Sequence, residues 1–216
     1  MSSKRGQLFV VSAASGSGKS TLVDLVTARL SNTGRVITCT TRSPRGLEKN
    51  GVDYHFLSVE EFEQRINDGD FLEYALVHAG RLYGSSRSEI EPFLARGIDM
   101  FLVIDVQGAA QVRVSMPDAI SVFVLPPSYA ELAGRLRARA ELEGVTDEAD
   151  LAVRLATARH EVERLDEFTY VIVNDDVEHA AAALESIVVA ERCRVAPQRQ
   201  RIDSILATFK RGSASA

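Results

Sequence analysis

Gln7-Leu-Phe-Val-Val-Ser12, running at once into Ala13-Ala14-Ser15-Gly16-Ser17-Gly18-Lys19-Ser20, is the stretch on which the fold turns. The first half is a short apolar run of β-formers, bounded by a Gly-rich turn, and reads as a buried parallel strand. The second half matches the phosphate-binding pattern G-x-x-x-x-G-K-[ST] with Ala13 in place of the first glycine and Gly16, Gly18, Lys19 and Ser20 in register. From Lys19 to about Leu30 the apolar residues Leu22, Leu25, Val26 and Leu30 recur with helical spacing. Strand, glycine-rich turn and helix in that order make an anion cradle. Backbone N–H groups turn inward and the helix N-terminus adds about half a positive charge. Lys19 then reaches β- and γ-phosphates, and the hydroxyl of Ser20 is placed to ligate Mg²⁺ beside them. Thr21 completes the nucleotide-facing run Ala13–Thr21.

Outward from this loop the rhythm continues. Met100–Asp105, Ile120–Leu125 and Tyr170–Asn174 read as further buried strands, each followed by helical sequence over about 108–115, 128–142 and 177–194. Alternating strands and helices imply a parallel α/β sheet flanked by helices, of the P-loop NTPase type. Two segments interrupt it. Residues 38–90 hold turn-rich sequence, a helix opened by the capping box Ser58-Val-Glu-Glu61, and strand-like runs over 71–77 and 81–85; they read as a small mixed α/β insertion. Residues 139–154 are charged, contain Gly144, and separate two Arg-bearing helices; they read as a helical lid. The expected organisation is a core over 5–37 and 91–188, carrying the insertion and the lid. A tail over 189–216 is expected to form a short helix with a frayed end.

Bulk properties narrow the class. The 216 residues are 45% apolar and 25% charged with a formal net charge of −5, a globular composition that gives no support for a nucleic-acid or membrane partner. No apolar run approaches the roughly 20 residues of a membrane span, and the polar start is no signal peptide; the reading is cytoplasmic. Cys39 and Cys193 stand far apart, which argues against a disulfide framework or a zinc site. Lysine occurs only at Lys4, Lys19, Lys49 and Lys210, so a lysine kept inside the glycine-rich loop suggests that its compact ammonium is needed there.

The acceptor side begins with Thr38-Cys-Thr-Thr-Arg42-Ser-Pro-Arg45, followed by Asp53-Tyr54-His-Phe56. Two arginines three apart around a proline can form a rigid fork for phosphate; a solvated loop is the plainer alternative. From here the chain resembles guanylate kinase, of the stand-alone bacterial type, over about Gln7 to Arg194. The resemblance rests on the loop, Thr40-Thr-Arg-Ser-Pro-Arg45, Asp53–Phe56, Phe71-Leu-Glu73-Tyr, Tyr83-Gly-Ser85, Asp105-Val-Gln-Gly108, Leu125-Pro-Pro-Ser128 and Ile172-Val-Asn174-Asp-Asp176.

That resemblance implies transfer of the γ-phosphoryl of ATP, with Mg²⁺, to GMP or dGMP. It makes the insertion the GMP-binding part: Arg42, Arg45, Tyr54 and Tyr83 for the phosphate, Glu73 for guanine N1–H and N2, and Thr38, Ser85 and Asp105 to complete the site. It places Asn174 near the adenine, and makes Arg139 and Arg154 the lid arginines that, with Lys19 and Arg42, neutralise the transferring group. A helix cap is the plainer reading of Asp105. The sequence departs from the pattern at Val103, where many relatives carry Asp, at Ala140, and in a lid about four residues longer. Two other functions fit parts of the pattern, a P-loop kinase acting on ribose 1,5-bisphosphate and a non-catalytic guanylate-kinase-like module. The Arg-rich tail after Pro197 admits either a homo-oligomer contact or a solvated end.

Overall fold

A computed structural model describes residues 5–14, 16–77, 80–142 and 148–212. The strand read from Gln7 onward is β1 (Leu8–Ala13), fully buried. Its side chains alternate between two faces, as strand geometry requires. Phe9, Val11 and Ala13 join Leu22, Val23 and Val26 of α1 (Lys19–Arg29) and Ala181, Leu184 and Val188 of α7 (Val177–Cys193). Leu8 and Val10 face the other way, toward Ile90 and Leu94 of α3 (Arg87–Ala95) and Ala109 and Val112 of α4 (Val106–Ser115). Two helical layers therefore sandwich one sheet.

That sheet is five-stranded and wholly parallel. It runs β2 (Thr33–Arg35), β7 (Asp99–Val103), β1, β8 (Ile120–Leu125), β9 (Tyr170–Val173). A second sheet of four strands lies in the insertion, in the order β4 (His55–Phe56), β3 (Cys39–Thr40), β6 (Arg81–Ser86), β5 (Phe71–Val77). Cys39, Phe62 of α2 (Val59–Asn67) and Phe71 form its own small core, with the Phe62 and Phe71 rings stacked at 4.3 Å. The capping box opens α2 as the sequence reads: the Ser58 hydroxyl accepts from Glu61 N, and the Glu61 carboxylate accepts from Ser58 N.

Two helices follow β8. They are α5 (Tyr129–Leu142) and α6 (Glu148–Val162). Most of the expected lid is thus helix; residues 143–147, with Gly144, lie outside the described residues. Leu132, Leu136 and Ala158 from these helices pack on Ala14 of the phosphate loop.

The tail needs correction. Instead of a short helix it forms α8 (Val195–Gly212), 18 residues long, and its start falls after α7 ends at Cys193, so a boundary at 189 would cut α7. Pro197 sits third in α8, within the first turn, where a missing N–H is tolerated. Residues 213–216 lie outside the described region. Among the described residues no helix is long and apolar enough to cross a membrane.

Candidate active site

The loop between β1 and α1 lies at the carboxyl edge of the parallel sheet, where open α/β sheets collect ligands. Gly16 and Gly18 have φ of 86° and 83°, the left-handed region that glycine enters without strain. Neither has room for a side chain. A Cβ on Gly16 would stand 2.9 Å from Leu136 Cδ2, and one on Gly18 would stand 2.8 Å from Asn174 Nδ2. Lys19 opens α1, partly exposed, with the exposed Ser20 and Thr21 behind it. Ala13 and Ala14 are buried, and Ser15 lies outside the described residues. The Ser17 hydroxyl is buried with no hydrogen-bond partner among the described residues. The loop borders a cleft of 380 Å³ shared with Arg135, Asn174, Asp175, Asp176 and Val177.

Asn174 braces this loop from the end of β9. Its amide Nδ2 donates to the Ser17 carbonyl at 2.7 Å, and its own carbonyl accepts from Arg135 at 3.0 Å. At 5% exposure it is a structural clamp on the loop as well as a wall of the cleft. Arg135, which sequence reasoning passed over in favour of Arg139, therefore lines the cleft beside the phosphate loop. Its signal lay in the arginine spacing of α5, which does not say which arginine faces the loop. Arg154 is partly buried in α6; Arg139 lies in α5, its side chain outside the described residues. Arg159 is exposed on α6 and lies 4.7 Å over the Tyr129 ring.

In the insertion, β3 pairs antiparallel with β6, with Cys39 opposite Gly84 and Thr40 opposite Tyr83. One step back along that register, Thr38 comes opposite Ser85. Just beyond β3, Arg42 lies 5.2 Å over the Tyr54 ring, and the Tyr54 and Tyr83 rings meet edge-on at 6.1 Å. Three of the expected phosphate ligands therefore converge. A residue the sequence did not mark joins them: Glu48 takes both terminal nitrogens of Arg42, at 2.9 and 2.8 Å, and also accepts from the Arg45 backbone N at 2.7 Å. The Arg42 side chain is only 6% exposed. Pairing with Glu48 raises the Arg42 pKa above its ordinary value, and the same pairing lowers that of Glu48. The Arg45 side chain remains at the surface.

Glu73 ends a buried run in β5 at 6% exposure and accepts from the Ser85 hydroxyl at 2.6 Å. Burial pushes its carboxyl up, the Ser85 hydrogen bond opposes that, and the charge of Asp105 adds to it. Asp105 caps α4, accepting from the N–H groups of Gln107 and Gly108 at 2.9 and 2.8 Å. The capping role is realised, and it leaves Asp105 exposed beside Glu73. Cys39 is buried with its thiol pushed up to about 12, which removes it from nucleophilic chemistry.

A phosphate-cradling loop on a parallel sheet, joined to a small sheet that presents an Arg–Tyr cluster and a buried carboxylate, defines the class of P-loop nucleoside monophosphate kinases. Known proteins narrow it further. The family described as guanylate kinase matches residues 5–191. The guanylate kinase of Mannheimia succiniciproducens is 46% identical over 205 residues, covering 94% of this chain and 96% of that protein. That of Xylella fastidiosa is 44% identical, covering 95% and 98%. The crystal structure of guanylate kinase from Anaplasma phagocytophilum aligns with a TM-score of 0.67 at 32% identity, covering 90% of each chain. The chain belongs to the guanylate kinase family.

Proposed function

We propose that the chain transfers the γ-phosphoryl group of ATP to GMP or dGMP, giving ADP and GDP or dGDP by direct in-line transfer. The observation that carries the acceptor assignment is Glu73, a buried carboxylate with one hydroxyl donor, Ser85, and a glycine, Gly108, opposite its second oxygen. A guanine edge offers N1–H and the N2 amine together, which satisfies such a carboxylate. Adenine offers neither donor there, and a buried carboxylate left unpaired costs several kcal/mol.

In this reading residues 5–37 and 91–188 are the donor half, 38–90 the acceptor half and 139–154 the lid. Lys19 and the loop amides from Ala13 to Thr21 hold the β- and γ-phosphates, with Asn174 steadying the loop. Arg42, Arg45, Tyr54 and Tyr83 hold the acceptor phosphate, and Thr38, Ser85 and Asp105 complete the base and sugar side. Arg139 and Arg154 close over the transferring group and join Arg42 in neutralising its spread charge. Closure also excludes water, which would otherwise take the phosphoryl group. No general base is required, because the acceptor phosphate is already anionic.

The donor set suits Mg²⁺. Among the described residues no three His, Cys, Asp or Glu side chains cluster to cage a metal, whereas the exposed Ser20 hydroxyl sits behind Lys19 at the start of α1. That pattern fits an ion shared with nucleotide phosphates, which Mg²⁺ prefers over an all-protein cage. When bound, the ion supplies charge neutralisation at the β- and γ-oxygens. We place this chemistry in the cytoplasm, with free nucleotides as its partners and no role for nucleic acid or membrane.

The test is Glu73→Gln. It should lower kcat/KM for GMP by roughly 10²-fold, the loss of a few kcal/mol at the base edge, while the KM for ATP stays put. Wild-type kinetics with GMP would remove Glu73 from the site.

A further inference from the structure

We infer that Gln111 of α4, with Gly108 and Ser115 on the same helix face, is a positioning residue that aims the Glu73 carboxylate for base selection; the inference rests on the reading of Glu73 as the residue that meets the base. β5 is the outer strand of the insertion sheet, paired with β6 on one side only. Its other side presents a row of backbone N–H and C=O groups that must find partners. They find them on α4.

The Tyr74 N–H donates to Gln111 Oε1 at 3.1 Å, and Gln111 Nε2 donates to the Tyr74 carbonyl at 3.1 Å. A primary amide carries one donor and one acceptor side by side, so Gln111 reproduces the pairing of a missing neighbouring strand. One turn further along, the Ser115 hydroxyl donates to the Leu72 carbonyl at 2.7 Å. The strand slips register at that point. Phe71 pairs with Ser86 and Glu73 with Ser85, which leaves Leu72 as the extra residue of a bulge. Bulges re-aim the side chains beside them.

Both chain neighbours of Glu73 are therefore tied to α4, through residues spaced i and i+4 on one face. Gly108, three residues before Gln111 on that face, faces the carboxylate itself. A Cβ there would lie 3.2 Å from Glu73 Oε2 and 3.3 Å from Ile104 Cδ1. One helical stripe thus meets residues 72, 73 and 74 in turn. Gln111 and Tyr74 are exposed, so losing the clasp uncovers no core. What it would change is aim, and a carboxylate that must accept two N–H groups at once tolerates only about 0.5 Å of error.

The experiment compares steady-state kinetics with GMP and with IMP, which lacks the N2 amine, in Gln111→Met, Gln111→Glu, Gly108→Ala and Glu73→Gln. Gln111→Met keeps the stem and removes both polar groups. It should raise the KM for GMP about tenfold through loss of the two-point clasp, narrow the preference for GMP over IMP, and leave the KM for ATP unchanged. Gln111→Glu, which keeps the acceptor and loses the donor, should move the same values less; it carries the test if the Met variant does not fold. Gly108→Ala should narrow the preference by crowding Oε2. If Glu73→Gln loses the GMP preference while both Gln111 variants keep it, positioning by α4 is overturned and base reading stands. If Glu73→Gln keeps the preference, base reading fails and this inference fails with it. Equal rises in KM for GMP and ATP, with a lowered melting temperature, would show a merely structural contact and overturn the inference.

Discussion

Glu73 is buried, and burial raises its carboxyl pKa. Two pH effects of opposite sign follow. In the proposed reading the carboxylate is the form that would accept N1–H and N2–H, so GMP binding should be complete at neutral pH and fall as pH drops through the raised value. That fall begins sooner on acidification than for an ordinary glutamate near about 4.3; the KM for GMP against pH checks it. For stability, the folded state holds the proton more tightly than the unfolded chain. The cost therefore appears as pH rises above the unfolded value and is complete above the folded one. Glu73→Gln should accordingly melt higher than wild type at neutral pH, with the gap closing toward pH 4, as calorimetry would show. Glu48 behaves in the reverse sense. Arg42 holds its pKa down, so the pair persists through neutral pH and is lost only as pH falls through that lowered value. Glu48→Gln, which breaks the two-point hold on Arg42, should raise the KM for GMP about tenfold with the KM for ATP unchanged, measured by the same assay. The strand, glycine turn and helix around Lys19, whose pattern is contiguous, were legible in the sequence. Glu48, Gly108 and Gln111 were not. Gln111 and Gly108 act on Tyr74 and Glu73 from more than 30 positions away, and Glu48 reads as one more charge in a polar loop.

At the scale of elements, the phosphate loop is held in shape by parts on either side of it. Asn174 at the end of β9 satisfies the Ser17 carbonyl, and Leu136 of α5 fills the space that the missing Cβ of Gly16 leaves open. Asn174→Ala would strand a buried carbonyl at a cost of roughly 1–3 kcal/mol. Thermal melting should register that loss, and the KM for ATP should rise more than the KM for GMP. β1, β8 and β5 were legible because each carries its own apolar or strand-forming pattern. β2 was not: Thr33-Gly-Arg35 has no such pattern, and it is a strand only because β7 pairs with it. α8 read as short because the polar, Arg-rich tail carries no strong apolar stripe, whereas it runs unbroken over Val195–Gly212; its proline falls in the first turn and merely omits one of the donors that has no partner there. The helix contacts the body of the protein mainly through α7. Truncation after Arg194 should therefore leave kcat/KM within about twofold of the full chain, since elements with few buried contacts carry little of the global stability; a steady-state assay on the truncated chain checks it.

For the whole molecule, one parallel sheet carries the phosphate loop and one small mixed sheet carries the Arg–Tyr cluster and Glu73, with α4 bridging them. Asp105 and Gly108 at its start lie beside Glu73, while Gln111 and Ser115 hydrogen-bond to β5 of the insertion. This arrangement explains why a family of P-loop kinases needs an insertion: the loop alone recognises any nucleoside triphosphate and chooses no acceptor. Lys19→Ala should therefore abolish transfer to every acceptor while leaving the melting temperature near that of wild type, since the change lies at a partly exposed position. The most direct measurement is ADP release from ATP with GMP, AMP, UMP and ribose 1,5-bisphosphate offered in turn. A buried carboxylate that demands two N–H donors predicts a kcat/KM for GMP at least about 10²-fold above each of the others. Equal rates across the four, or a preference for ribose 1,5-bisphosphate, would contradict the account.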